Sequence, residues 1–162
     1  MISSRARTSP APRRSAGWRG AALLLALVAP LAFAGLGEAP SEMAASATQR
    51  TAAATSAGVA YTDIQRTLKS GTVVHQYVDA NGIVFAVSWA GPFKPDLKRL
   101  LGRHFDRVVE GGATAARRGE RSRLDVNDTD LVLRSGGHMG AFEGSAWVPS
   151  RLPAGFDPQE MK

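Results

Sequence analysis

The chain contains no cysteine. Disulfide staples, a thiolate metal site and a lipid-bearing cysteine are thereby excluded, and any core must hold by packing alone. Acidic residues are missing from the first thirty-four positions, where Arg5, Arg7, Arg13, Arg14 and Arg19 stand without a counter-charge. Long apolar runs are missing too. The longest, residues 21–33, falls short of the roughly 20 residues a membrane-spanning helix needs, and Pro30 interrupts it. No internal repeat is visible, which removes solenoid and propeller architectures.

What is present begins with that basic head. It is followed by the short apolar run and then by Ala32-Phe33-Ala34, a small-residue site of the kind at which export leaders are cut. Residues 1–34 read as a signal peptide, and the expected address is periplasmic or secreted. Two other readings are weaker. Arg13-Arg14 is followed by Ser15-Ala16-Gly17-Trp18, a poor match to a twin-arginine signal, and Pro30 with the adjacent cut site argues against a retained anchor. The leader also explains the charge. The whole chain carries 20 basic and 14 acidic residues, a net charge of +6 and a pI near 10.5. Removing five arginines leaves 15 against 14, or +1, on 128 residues. A near-neutral single domain of that size is no nucleic-acid binder by composition, and it meets the membrane only transiently through its leader.

Residues 35–58 are mostly Ala, Ser and Thr, with too few large apolar side chains to offset the entropy of ordering, and read as a flexible linker. A single domain is expected over 59–156, with 157–162 as a tail. Three strands, 61–68, 72–78 and 83–89, are separated by Lys69-Ser70-Gly71 and Asp79-Ala80-Asn81-Gly82, and read as an antiparallel meander. A two-residue Asn81-Gly82 turn would set Val78 opposite Phe85, Gln76 opposite Val87 and Val74 opposite Trp89. Except at Gln76, one sheet face is then apolar. Leu97, Leu100, Leu101, Phe105, Val108 and Val109 follow at helical spacing, from Pro95 to a stop at Gly111-Gly112, with Lys94, Lys98, Arg99, Arg103 and Arg107 on the solvated side. Residues 113–122 read as an exposed loop, 123–126 and 130–134 as short strands around an acidic turn, and 144–148 as a last strand. The sum is an α+β domain: an antiparallel sheet packed against one main amphipathic helix.

Residues with chemistry in them are few. His75, His104 and His138 fall on a strand, a helix and a loop, with no spacing that presets a metal geometry, so no metal or other cofactor is expected. His104 lies on the apolar stripe of the helix and reads as structural. The glycine-rich loop 135–140 lacks a phosphate-loop lysine and a nucleophile elbow, but it sets Ser135 near His138, the pair a small hydrolase would use. The acidic turn at 125–130 has Asp130 where a calcium loop needs glycine, and the sequon Asn127-Asp128-Thr129 matters only in a eukaryotic secretory host. Core packing is the default use of the aromatics. Trp89, Phe93, Phe142 and Trp147 also flank the glycine-rich elements, and with His138 they form the candidate surface for a ligand or partner.

The block from Ser70 to Trp89, continuing through Ala90-Gly91-Pro92-Phe93, together with Gly137-His138-Met139-Gly140-Ala141-Phe142-Glu143-Gly144 and Trp147-Val148-Pro149, resembles the exported bacterial family catalogued as domain of unknown function 2844. The likeness spans about residues 35–156. It implies export and a shared fold, and it brings no catalytic residue, substrate or cofactor with it. The expected function is therefore that of an exported, non-enzymatic module binding an envelope protein or polymer. The alternative is a periplasmic hydrolase or metal-dependent enzyme using His138 and Ser135.

Overall fold

β-Branched and aromatic side chains recur through 60–91 with turn residues between them, and this stretch forms the centre of the sheet. The computed structural model describes residues 34–117 and 123–162; residues 1–33 of the expected leader and 118–122 of the expected loop lie outside the described residues. Strands β1 (Ala45–Ala54), β2 (Ala60–Leu68), β3 (Val73–Val78) and β4 (Val84–Gly91) follow one another as antiparallel neighbours. After a helical segment come β5 (Leu124–Asn127), β6 (Val132–His138) and β7 (Ala141–Trp147). The last of these turns back to pair with β4, giving one seven-stranded antiparallel sheet in the order β1-β2-β3-β4-β7-β6-β5. The α+β class stands.

Both faces of this sheet are covered, by different parts of the chain. On the first face, Val74, Val87, Trp89, Leu133 and Ala146 pack with Leu100, Leu101 and Val108 of the helical segment. On the second, Tyr77, Phe85, Ala86 and Trp147 pack under Leu152, Phe156 and Met161 of the C-terminal segment. Phe85 is on the second face, not the first as the two-residue turn would require. The loop holds three residues, 80–82, closed by Asp79 N donating to Ile83 O at 2.9 Å: Asp79 Oδ1 accepts from the amides of Asn81 and Ile83 at 2.8 and 2.9 Å, and Gly82 takes a φ of 80°. Register then shifts between Tyr77 and Val78, so that Val78 pairs with Val84, and this bulge turns Phe85 over.

The helical segment is two helices rather than one. Asp96 caps α1 (Leu97–Leu101) by accepting from the amide of Arg99 at 3.1 Å, and Gly102, at φ 53°, ends it. A 3-10 turn, Gly102–His104, leads into α2 (Phe105–Arg117). Helix α2 runs through Gly111 and Gly112 instead of stopping there. A Cβ on Gly111 would sit 2.6 Å from Val126 Cγ2, so here glycine permits the helix to lie close on β5. The expected loop thus begins no earlier than residue 118.

Residues 35–58 are not a linker. A β-ladder needs only backbone N–H and C=O groups, and β1 supplies these to β2 with side chains that are mostly exposed. The preceding segment is anchored by Leu36, which is fully buried and contributes about 2 kcal/mol. Leu36 N donates to Leu100 O at 3.0 Å, a carbonyl at the α1 terminus, and Gly37 N and Glu38 O bracket Val84 at 2.7 and 2.9 Å. A buried polar chain completes the anchor. Arg66 donates to Gln76 Oε1, Gln76 Nε2 donates to Ser41 Oγ at 2.9 Å, and Arg66 lies 3.6 Å from Glu42. Burial pulls the Arg66 pKa below its ordinary value, with Glu42 opposing and Arg50 reinforcing that shift.

Two predictions follow from this packing. Trp89 lies directly beneath Gly144, where a Cβ would fall 2.2 Å from Cζ2 of the indole. Gly144→Ala should cost about 1–3 kcal/mol in urea unfolding, whereas Gly136→Ala, with no atom within 4 Å of its would-be Cβ, should stay within about 0.5 kcal/mol of wild type. The second concerns His104, 9% exposed, with Nε2 buried and unpartnered beside Gly37. Burial first, then Arg103, depress its pKa from the ordinary 6.5; Asp130 and Glu38 partly oppose this and Arg151 adds to it. A depressed folded pKa gives stability that is complete above about pH 6.5 and lost as pH falls through the lower folded value. Wild-type stability minus that of His104→Asn, measured by urea titration from pH 8 to 5, should therefore shrink on acidification.

Candidate functional site

Register across the seven strands places one polar residue per strand in a single row on the second face. From β1 inward, Gln49 stands opposite Gln65, Gln65 opposite His75, and His75 opposite Ser88. Beyond β4 the row continues through Ser145 and Arg134 to Asp125. In the middle of a sheet such a row must be hydrogen-bonded or wet. Here the middle of the row, His75 and Ser88, is bonded and covered, and the end on β7, β6 and β5 is open.

The covered part centres on His75. Its Nδ1 lies 2.9 Å from both carboxylate oxygens of Asp63, and its ring stacks on Tyr77 at 6.1 Å between centroids. Tyr77 Oη is 3.5 Å from Ser88 Oγ and accepts from the amide of Lys162 at 3.0 Å, while Ser88 Oγ donates to the carbonyl of Lys162. Burial raises the Tyr77 pKa above its ordinary value, against the lowering effect of its hydrogen bonds to Ser88 and Lys162. Phe156 clamps the segment down, edge-on to Phe85 at 4.8 Å and to Tyr61 at 5.5 Å. Asp63, His75 and Ser88 include the residue types of a hydrolytic triad. His75 makes no hydrogen bond to Ser88, however, and both are more than nine-tenths buried under the C-terminal segment.

Past Ser88 the row opens into a cleft of about 610 Å³, floored by Ser145, Trp147 and Arg134 and rimmed by Gln159 and Lys162. Arg123 and Asp125 form an ion pair at 3.1 Å along one side. The Arg134 guanidinium stands over the Trp147 ring at 5.5 Å, and no carboxylate among the described residues lies within 4 Å of it. A cation stacked on an aromatic ring and left without a counter-ion suits an anionic or polar ligand group.

The residues singled out in the sequence are distributed differently. Trp89, 2% exposed, belongs to the core beneath Gly144 and is no part of a surface. Trp147 floors the cleft. Phe93, 61% exposed, and the half-buried Phe142, with Lys94 Nζ 5.4 Å from its ring centroid, lie at one end of β4 and β7. His138 and Met139 stand exposed at the β6–β7 tip. The glycine-rich stretch is mostly strand, not loop: residues 135–138 continue β6, and a Cβ on Gly137 would meet Ala141 O at 2.2 Å in the tight hairpin. Ser135 follows Leu133 by alternation onto the helix-covered face, 3.4 Å from Glu143 O, while His138 Nδ1 is 3.1 Å from Met139 O. The structure does not bring the two together. Nor do the three histidines converge, and among the described residues no three His, Asp or Glu side chains gather as a metal site.

Ser88, Ser145 and Arg134 escaped sequence reasoning because their neighbourhood depends on the β4–β7 register, which no local signal specifies. The alternation of Ser88 with Val87 and Trp89 was the one available hint. Among the described residues no helix is long and apolar enough to cross a membrane. No curated protein and no solved structure matches the chain. Residues 32–161, covering the whole sheet and both covering layers, match the family described as Protein of unknown function (DUF2844), and the chain belongs to that family.

Proposed function

We propose that this protein is an exported, non-catalytic module that binds an envelope protein or polymer, with the open cleft as its contact. The basic head, apolar run and Ala32-Phe33-Ala34 support export to the periplasm or beyond. The observation that carries the binding reading is Arg134, a guanidinium set over Trp147 in an accessible cleft, with no carboxylate oxygen within 4 Å of it among the described residues: its cross-strand neighbour Asp125 is paired with Arg123. Stacked on the ring, the guanidinium keeps its planar fork of donors free for an anionic or polar ligand group. Ser145 adds a hydroxyl at the floor, and Glu143 adds a carboxylate at the edge. The hydrolytic reading through His138 and Ser135 has less support, since the serine is buried and bonded to a carbonyl while the histidine faces solvent.

The test is retention by cell-envelope material. Purified protein should co-sediment with isolated wall polymer or capture an envelope protein, and Arg134→Glu should weaken that retention about tenfold, the equivalent of one charge-assisted hydrogen bond. Retention should also fall with added salt. Equal retention of wild type and Arg134→Glu would rule out the cleft as the contact, and no retention of either would sink the binding reading.

A further inference from the structure

The two ends of the sheet are unlike. At one end β5 is four residues long, carries the Arg123–Asp125 ion pair, and lies against α2, where Gly111 meets Val126. Arg107 reaches across to Asp128 at 3.5 Å beside it. Short length, charge and a covering helix are the usual guards of a sheet edge. At the other end β1 is neither short nor covered by a helix. It is ten residues long, contains no proline, bears one charge, Arg50, and is mostly exposed. Its ladder to β2 is regular from Ala47 to Ala54, so its outer N–H and C=O groups form a straight, unpartnered row among the described residues.

We propose that β1 pairs antiparallel with β1 of a second copy of this chain, about a two-fold axis at Gln49. An axis normal to the sheet requires that paired positions sum to a constant even number. Centred on Gln49, the ladder sets Gln49 against Gln49, Thr48 against Arg50 and Ala47 against Thr51, as far as the regular part of the strand reaches before the register shift between Ala45 and Ala47. Each glutamine amide offers a donor and an acceptor to its twin. Arg50 faces threonine, whereas an axis at Arg50 would set two guanidinium groups opposite each other. Small side chains on both faces let the two backbones approach without displacing anything, and closure removes both free edges at once. Gln49 also ends the polar row that crosses the second face, so the pairing continues that row into the second copy. An apolar peptide would find no apolar pocket along β1 and an acidic one only the single charge of Arg50, whereas a second copy meets Gln49 with Gln49 and keeps the two Arg50 side chains apart.

Sedimentation equilibrium over a concentration series tests this with surface substitutions. Wild type should approach twice its monomer mass. Gln49→Lys and Gln49→Glu, each placing like charges at the axis, should each raise the dimer dissociation constant at least tenfold, and an equimolar mixture of the two should recover dimerisation as a heterodimer. Urea unfolding of each variant establishes that it is folded. Arg134→Glu should dimerise like wild type, which separates this outcome from that of the cleft. A wild-type protein that stays monomeric throughout, single variants that dimerise as wild type does, or a mixture that fails to recover would each overturn the proposal.

Discussion

The ladder between β4 and β7 is the contact on which the rest of the structure depends. It joins residues separated by more than fifty positions, Ser88 to Ser145 and Trp89 to Gly144, and converts a four-stranded and a three-stranded antiparallel unit into one sheet. Two consequences follow from the alternation of side chains along it. On the helix side, the absence of a side chain at Gly144 admits the Trp89 indole, which fills the centre of the first core. On the opposite side, the same pairing lines up Ser88 with Ser145 and opens the floor of the cleft. Core and candidate site are thus two faces of one register.

What surrounds that register is held by chain ends rather than by large elements. The segment before β1 reaches the core through Leu36 and through the Arg66–Gln76–Ser41 chain, and the segment after β7 is held by Phe156 among three aromatic rings and by Lys162 on Tyr77 and Ser88. In a chain without disulfides such straps do the work of staples. They also explain a buried guanidinium in so small a core. Arg66 is tolerated because Gln76 and Glu42 compensate it, and removing either partner would leave a desolvated charge.

Much of the centre of the fold was legible in the sequence, because it rests on local signals. The strands around Lys69-Ser70-Gly71 and the Asp79 turn, the apolar spacing from Leu97 to Val108, and the α+β class all come from periodicity and turn chemistry. The ends were not legible. Strand β1 has almost no apolar content, and its order comes from backbone pairing to β2, a tertiary effect that composition hides. Gly111-Gly112 read as a stop because glycine is a poor helix former, yet close approach to Val126 made it the fitting residue. Of the candidate surface, Trp89 went to the core and Trp147 to the cleft, a distinction set by strand parity once β7 is placed. Arg134 had no signal of its own: a lone arginine on a strand acquires meaning only from the ring beneath it.

The long separation between β4 and β7 also governs the order in which the chain can assemble. Hairpins from β1 to β4 close over short loops at little entropic cost, while the partner of β4 arrives only after two helices and two more strands. Until β7 docks, β4 is an open edge, and six of its eight residues are buried in the finished sheet. A chain is delivered amino-terminal end first during synthesis, so this apolar edge stands unpaired for as long as delivery of the last third takes. The interval before β7 arrives is the one in which the molecule is most exposed to misassociation, and β4, not the small-residue edge of β1, is the strand that a chaperone would have to shield.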